Sequence, residues 1–168
     1  MSLELIYDRT ESDILAVSAI RATHQALKNW AELTDAEKAQ LERGTLTCNT
    51  LNRVQSAISA LSAELTTAGY LHSVDIHADW VNGDVMKLSD WTQYLANVQA
   101  LRDAFYTLAE TGELPAATDK LGWQGANMIE KILADIDLLI GWMKSSYRRC
   151  GTFNSGENST TLPLKGSV

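Results

Sequence analysis

The stretch LNRVQSAISALSAEL, residues 51–65, decides the fold of this chain. Its large apolar side chains recur at steps of three and four residues, at Leu51, Val54, Ile58, Leu61 and Leu65. This spacing puts one apolar stripe on an α-helix, whereas a strand repeats its apolar side chains every second residue. The stretch therefore predicts a helix with one face turned towards a core.

Two later segments repeat this spacing. The apolar positions of the first are Tyr94, Val98, Leu101, Phe105 and Leu108, and those of the second are Ile129, Ile132, Ile136, Leu139 and Met143. Each stripe is narrow and suits helices that pack nearly parallel to one another, at about 20°. We therefore expect three long helical rods in an antiparallel arrangement around a common core.

Glycines and capping residues set the limits of the predicted helices. Glycine, which ends many helices because it adopts a left-handed conformation at no steric cost, follows the helical patterns at Gly44, Gly69, Gly112 and Gly151. Thr34 and Glu37 have the spacing of a capping box. Helices are predicted near residues 11–30, 35–43, 47–68, 89–111 and 123–150. The predicted fold is all-α: an antiparallel bundle of three rods plus an N-terminal helix pair, with an extended C-terminal tail.

The final stretch GTFNSGENSTTLPLKGSV, residues 151–168, differs from everything before it. It contains one acid, one base and four apolar side chains larger than alanine, at Phe153, Leu162, Leu164 and Val168. Such a segment buries too little apolar area on its own to offset the entropy lost on ordering. We predict a helical bundle domain over residues 1–150 and an extended arm over 151–168, whose four apolar side chains bind a neighbouring subunit.

Charge and hydropathy exclude several classes of partner. The formal net charge is −7, from 21 acids against 14 bases, which argues against binding a nucleic acid backbone. No apolar run approaches the length of a membrane span, and the first residues lack the pattern of a secretion signal. We expect protein partners, with neither nucleic acid nor membrane among them.

Catalytic and metal-binding patterns are missing from the sequence. It contains no nucleophile elbow, no phosphate-binding loop and no dinucleotide-binding fingerprint. His72, His77 and Asp79 share one loop, but their spacing matches no metal motif. Glu130, Asp135 and Asp137 are expected on the solvent face of the last rod. We predict no catalytic residue, no metal ligand, no cofactor and no small-molecule substrate, and hence no enzyme.

Three asparagines lie at comparable places, one or two residues before a stripe position: Asn52, Asn97 and Asn127. Asparagine is a poor helix former, and its amide must find partners when it is buried. These side chains either form hydrogen bonds between rods that fix their register, or lie by chance on the solvent face. A tryptophan in the 69–88 loop, Trp80, either packs that loop onto the bundle or contacts a partner.

Several segments of the chain resemble a known group of proteins. They are YDRTESDI at 7–14, TLNRVQSAI at 50–58, DWVNGDV at 79–85, YLANVQALR at 94–102, ANMIEKILADID at 126–137 and FNSGE at 153–157. Together they resemble a family of small proteins encoded among the tail genes of phages and prophages of Gram-positive gut bacteria. The resemblance implies a place in the virion, near the tail tip or baseplate, and no established activity.

Two functions remain open at this point. In the first, the protein is a structural virion component, made in the cytoplasm of the bacterial host, whose C-terminal arm docks onto other virion proteins or onto copies of itself. In the second, it is a cytosolic phage-encoded adaptor or regulator that binds a host protein through the 69–88 loop and Trp80.

Overall fold

The structure, a computed structural model, describes residues 3–23, 32–118 and 120–150, with the side chains of the last four of these left out. Within these ranges it contains five α-helices and no strand. They are α1 (Glu11–Thr23), α2 (Asp35–Gly44), α3 (Cys48–Thr67), α4 (Leu88–Ala104) and α5 (Trp123–Cys150). The prediction of an all-α fold is confirmed. The predicted arm, with Phe153, Leu162, Leu164 and Val168, lies outside the described residues.

Local chemistry fixes where these helices begin and end. The predicted capping box at α2 is confirmed, because Thr34 Oγ1 accepts a hydrogen bond from the Glu37 amide at 3.2 Å and the Glu37 carboxylate accepts one from the Thr34 amide at 2.9 Å. Helix α3 ends at a left-handed glycine, since Gly69 has φ of 89°. Side-chain capping and glycine together define these ends.

Helix α4 is shorter than predicted. It ends at Ala104 instead of near residue 111, because Phe105 has an extended backbone with φ of −131° and ψ of 176°. The Phe105 ring then packs edge-on against Tyr70, with 4.8 Å between the ring centroids. The helical spacing misled here, because Phe105 is an apolar core contact that the chain reaches after leaving the helix.

Helices α3, α4 and α5 pack against one another pairwise, and all three run in the same direction. Their first turns meet at one end, where a single groove is lined by Leu46, Leu88 and Leu121, which stand at the starts of the three helices. Further along, Arg53 and Glu64 of α3 contact Glu130 and Lys144 of α5 respectively, so residue numbers rise together in both helices. The prediction of antiparallel rods is therefore wrong.

Long connections make the parallel arrangement possible. Parallel neighbours require the chain to travel back along the whole bundle between one helix and the next. Helix α3 contains 20 residues and is therefore about 30 Å long. The connection over residues 68–87 reaches about 60 Å when it is extended, which is enough for the return.

Three extended segments fill the three grooves along the sides of this bundle. The first connection, residues 68–87, lies between α3 and α4, where it contacts Asn52 and Asn97. The second connection, residues 105–118, lies between α4 and α5. The N-terminal segment, residues 3–10, lies between α5 and α3. Each segment runs antiparallel to the helices beside it.

One apolar core lies at the centre of α3, α4 and α5. Its fully enclosed side chains include Val54, Ile58, Leu61, Leu65, Val98, Leu101, Ile129, Ile132 and Leu133. Helices α1 and α2 form a separate small cluster around Val17, Leu33 and Leu41. Gly44 permits this contact, since a Cβ atom there would lie 2.7 Å from the Asp13 carbonyl oxygen. The helix pair therefore packs beside the bundle around its own core.

Candidate functional site

Asn52 of α3 binds the first connection, residues 68–87, through hydrogen bonds to the backbone of a single residue, Trp80. Its Oδ1 accepts a hydrogen bond from the Trp80 amide at 2.9 Å, and its Nδ2 donates one to the Trp80 carbonyl at 2.8 Å. A carboxamide side chain that makes both bonds replaces the neighbouring strand that a sheet would supply. The extended backbone around Trp80 is thereby satisfied without a sheet.

Asn97 and Asn127 make the same paired contact. Asn97 is buried, accepts a hydrogen bond from the Asp75 amide at 2.9 Å and donates to the Asp75 carbonyl. Asn127 accepts from the Arg9 amide at 3.1 Å and donates to the Arg9 carbonyl at 2.8 Å. Two of the three grooves are therefore closed by an asparagine that binds the backbone of an extended segment.

These contacts differ from those that the sequence predicts. The expected partners were other rods, but both bonds of Asn52 and the paired bonds of Asn127 go to extended segments. Asn97 also makes one contact between helices, in which its Nδ2 lies 3.4 Å from Gln55 Oε1 of α3. The amides do find partners inside the protein, and those partners are segments that the sequence places in loops.

Glu130 of α5 lies at the centre of a buried ion cluster. Its carboxylate accepts hydrogen bonds from the Ile6 amide at 2.6 Å, from Arg9 at 2.5 Å and from Arg53 at 3.0 Å. Burial, followed by the nearby negative charge of Glu130, raises the pKa of Tyr94. A carboxylate in this position needs such partners, because an unpaired buried charge is costly.

The expectation that Glu130 and Asp135 face solvent is wrong. Both side chains are buried. Asp135 accepts hydrogen bonds from Thr111 of the second connection at 2.7 Å and from Lys131. The sequence misleads because the partners of Glu130 are far away along the chain, at Arg9 and Arg53. Both acids hold extended segments in place, which is a structural task.

Trp80 is buried, and its ring packs against His77 with 4.4 Å between centroids. Its indole nitrogen has no hydrogen-bond partner among the described residues. The buried ring favours the alternative in which Trp80 packs the connection onto the bundle. The large apolar side chains that this connection exposes are Leu71, Val81 and Val85.

The histidines of the first connection have separate surroundings. The ring of His72 contacts Ser62 Oγ at 2.8 Å and the Tyr70 carbonyl at 3.0 Å, whereas His77 lies 3.5 Å from Asp79. Nowhere in the described part of the chain do three or more histidine, cysteine, aspartate or glutamate side chains gather as metal ligands. No helix in residues 3–23, 32–118 and 120–150 has the length and hydropathy that a bilayer span requires.

An apolar recess opens where α3, α4 and α5 begin. We call it the end groove; it has a volume of about 370 Å³ and is lined by Leu46, Met86, Lys87, Leu88, Trp91 and Leu121. Leu46 also lines two adjoining cavities of about 360 and 320 Å³. Lys87 is the single charged residue of the lining. The end groove is therefore better suited to binding apolar side chains of a partner than to catalysing a reaction.

Comparisons with known proteins give no further assignment. No protein-family model matches the chain, and neither a curated protein nor a solved structure does.

Proposed function

We propose that the protein is a non-enzymatic structural component of a phage virion, in the tail or baseplate region. In this proposal the helical bundle is a rigid module, and residues 151–168 form an extended arm that docks onto a neighbouring subunit. Phe153, Leu162, Leu164 and Val168 are the anchors of the arm. The protein is made in the cytoplasm of the bacterial host, acts without a cofactor and binds other virion proteins.

One observation carries this proposal: buried and half-buried polar side chains hold the chain's own backbone. Asn52, Asn97, Asn127 and Glu130 each bind an extended segment of the same molecule. Polar groups that are committed in this way stabilise a fixed shape, and they are not free to bind or activate a substrate. A rigid module with an apolar recess at one end is suited to contact with other proteins. The resemblance to proteins encoded among phage tail genes supports a location in the tail or baseplate region of the virion.

Deletion of residues 152–168 tests the role of the arm. We expect the helical content by circular dichroism and the melting temperature to stay nearly unchanged, because the bundle has its own core. We also expect the shortened chain to be missing from purified particles when these are analysed by mass spectrometry. Normal incorporation of the shortened chain would contradict docking through the arm, and absence of the full chain from particles would refute the virion proposal.

A matched pair of point variants refines this test. The double variant Leu162→Asp and Leu164→Asp should be excluded from particles as the deletion is, because it removes two apolar anchors and adds two charges. The double variant Ser159→Asp and Thr161→Asp adds the same charges beside them and retains the anchors. Equal exclusion of both variants would indicate that charge, and not lost apolar contact, prevents incorporation.

The alternative, a cytosolic adaptor that binds a host protein through residues 69–88, is favoured by one observation. Leu71, Val81 and Val85 of this connection are exposed although they are apolar. Location separates the two proposals, since an adaptor remains in the cytosolic fraction of infected cells and is missing from particles. If the full chain is found in particles and Val81→Asp is incorporated normally, the adaptor proposal fails.

A further inference from the structure

We propose, resting on the function proposed above, that the end groove binds the C-terminal arm of a second copy of this chain. Copies then associate head to tail, with the arm of one molecule seated among Leu46, Leu88 and Leu121 of the next. The proposal names the neighbouring subunit and the surface that receives the arm.

The end groove is an open apolar surface of the described bundle. The side grooves between α3, α4 and α5 are already filled by residues 3–10, 68–87 and 105–118 of the same chain. At the end, by contrast, Leu46 is 46% exposed and Leu88 is 64% exposed. Burial of such side chains against apolar anchors is favourable, at about 25 cal/mol for each Å² removed from water.

The direction of α5 places the arm at the opposite end of the molecule. The helix begins next to Leu121 of the end groove and continues for 28 residues, which is about 42 Å. Phe153 lies three residues beyond Cys150 and therefore reaches about 10 Å from the end of the helix. It cannot enter the end groove of its own molecule.

The next anchor along the arm, Leu162, faces the same limit. Leu162 lies twelve residues beyond Cys150, and a fully extended chain of that length spans about 40 Å. A return to the molecule's own end groove would use all of this length and leave none for the reversal of direction. A second copy whose end groove faces the arm removes this limit.

Charge also favours this pair of surfaces. Each copy carries a net charge of −7, so two copies repel each other over most of their surfaces. The side chains of the arm carry no net charge, because Glu157 offsets Lys165. The end groove contains Lys87 and no acid. These two surfaces can therefore meet without bringing two sets of acids together.

The arm and the end groove lie at opposite ends of the molecule, so their contact is heterologous. Such a contact continues into rings or filaments unless it is interrupted. We therefore expect the molar mass of the full chain, measured by analytical ultracentrifugation, to rise with concentration through the micromolar range. Leu88→Asp in the end groove, and Leu162→Asp with Leu164→Asp in the arm, should each raise the dissociation constant about tenfold or more.

A mixture of the two variants gives the sharpest result. The groove variant keeps an intact arm, and the arm variant keeps an intact groove, so one arm fits one groove and growth stops there. We expect a one-to-one dimer from the mixture and a single-chain mass for each variant alone. Leu138→Asp is the matched control, because Leu138 lies on the side of α5 and is 44% exposed, close to the value for Leu46. It should associate as the unmodified chain does.

Three outcomes would overturn the inference: a single-chain mass for the unmodified protein at every concentration, undiminished association of Leu88→Asp, or no dimer in the mixture. Particle incorporation separates this failure from that of the proposed function. If the unmodified chain stays single while loss of the arm still prevents incorporation, the arm docks elsewhere and the virion proposal stands. If the chain self-associates but is missing from particles, the virion proposal fails alone.

Discussion

The side grooves and the end groove of the bundle use opposite chemistry. Along the sides, polar groups such as Asn97 and Glu130 are buried and bind extended segments of the same chain. At the end where the helices begin, apolar groups such as Leu46 and Leu88 are exposed and are covered by nothing in the described residues. Polar contacts therefore hold the extended segments on the bundle, whereas the exposed apolar side chains at its end remain available for contact with another molecule.

The largest effect is expected inside the side groove between α3 and α5. Glu130→Ala leaves Arg9 and Arg53 without their shared carboxylate, and we expect it to lower the free energy of unfolding by about 3–5 kcal/mol. Urea denaturation followed by circular dichroism measures this loss. Asp137→Ala, a partly exposed acid on the same helix, is the control and should change stability by about 0.5 kcal/mol or less. A loss below about 1 kcal/mol for Glu130→Ala would show that the buried cluster is not essential.

A smaller effect on the free energy of unfolding is expected where an asparagine side chain binds the backbone of an extended segment. Asn97→Ala leaves the amide and carbonyl of Asp75 without their partner, so we expect a loss of about 1–3 kcal/mol in the same measurement. Hydrogen exchange of the Asp75 amide should also become faster. Asn49→Ala provides the comparison, since Asn49 is an exposed residue of α3 that bonds Glu42. Equal losses for both asparagines would remove the distinction between the side groove and the surface.

The smallest effect on folding is expected at the end groove. Leu88 is exposed and is the first residue of α4, where an acid interacts favourably with the helix dipole. We therefore expect Leu88→Asp to change the free energy of unfolding by at most about 0.5 kcal/mol. A loss above about 2 kcal/mol would mean that Leu88 supports the fold, and the end groove would then resemble the side grooves.

The sequence predicts the helices well and their direction poorly. The stripe that begins at Leu51 and the capping box at Thr34 are local signals, and both predict elements that the structure contains. The residue spacing of an apolar stripe is the same whether the neighbouring helix runs parallel or antiparallel to it. The length of the 69–88 loop permits either direction, so only the long-range contacts decide.

The polar contacts were partly visible in the sequence. Asn52, Asn97 and Asn127 attract attention because asparagine is a poor helix former, but nothing local identifies Trp80, Asp75 and Arg9 as their partners. Glu130 gives no local signal, because Arg53 is 77 residues away and Arg9 is 121 residues away. The apolar end groove depends on three helix starts meeting, and that meeting follows from the parallel direction.

The parallel direction of the helices, including α3 and α4, is the claim on which the end groove and the proposed docking of the arm both depend. It is tested most directly by the distance between spin labels at Leu71→Cys and Leu88→Cys, two exposed sites, with Cys48 and Cys150 replaced by serine. Parallel helices place these sites at opposite ends of the bundle, so pulsed electron resonance should give about 30 Å, the length of α3. A distance below about 15 Å, which an antiparallel pair joined at one end would give, would contradict the account.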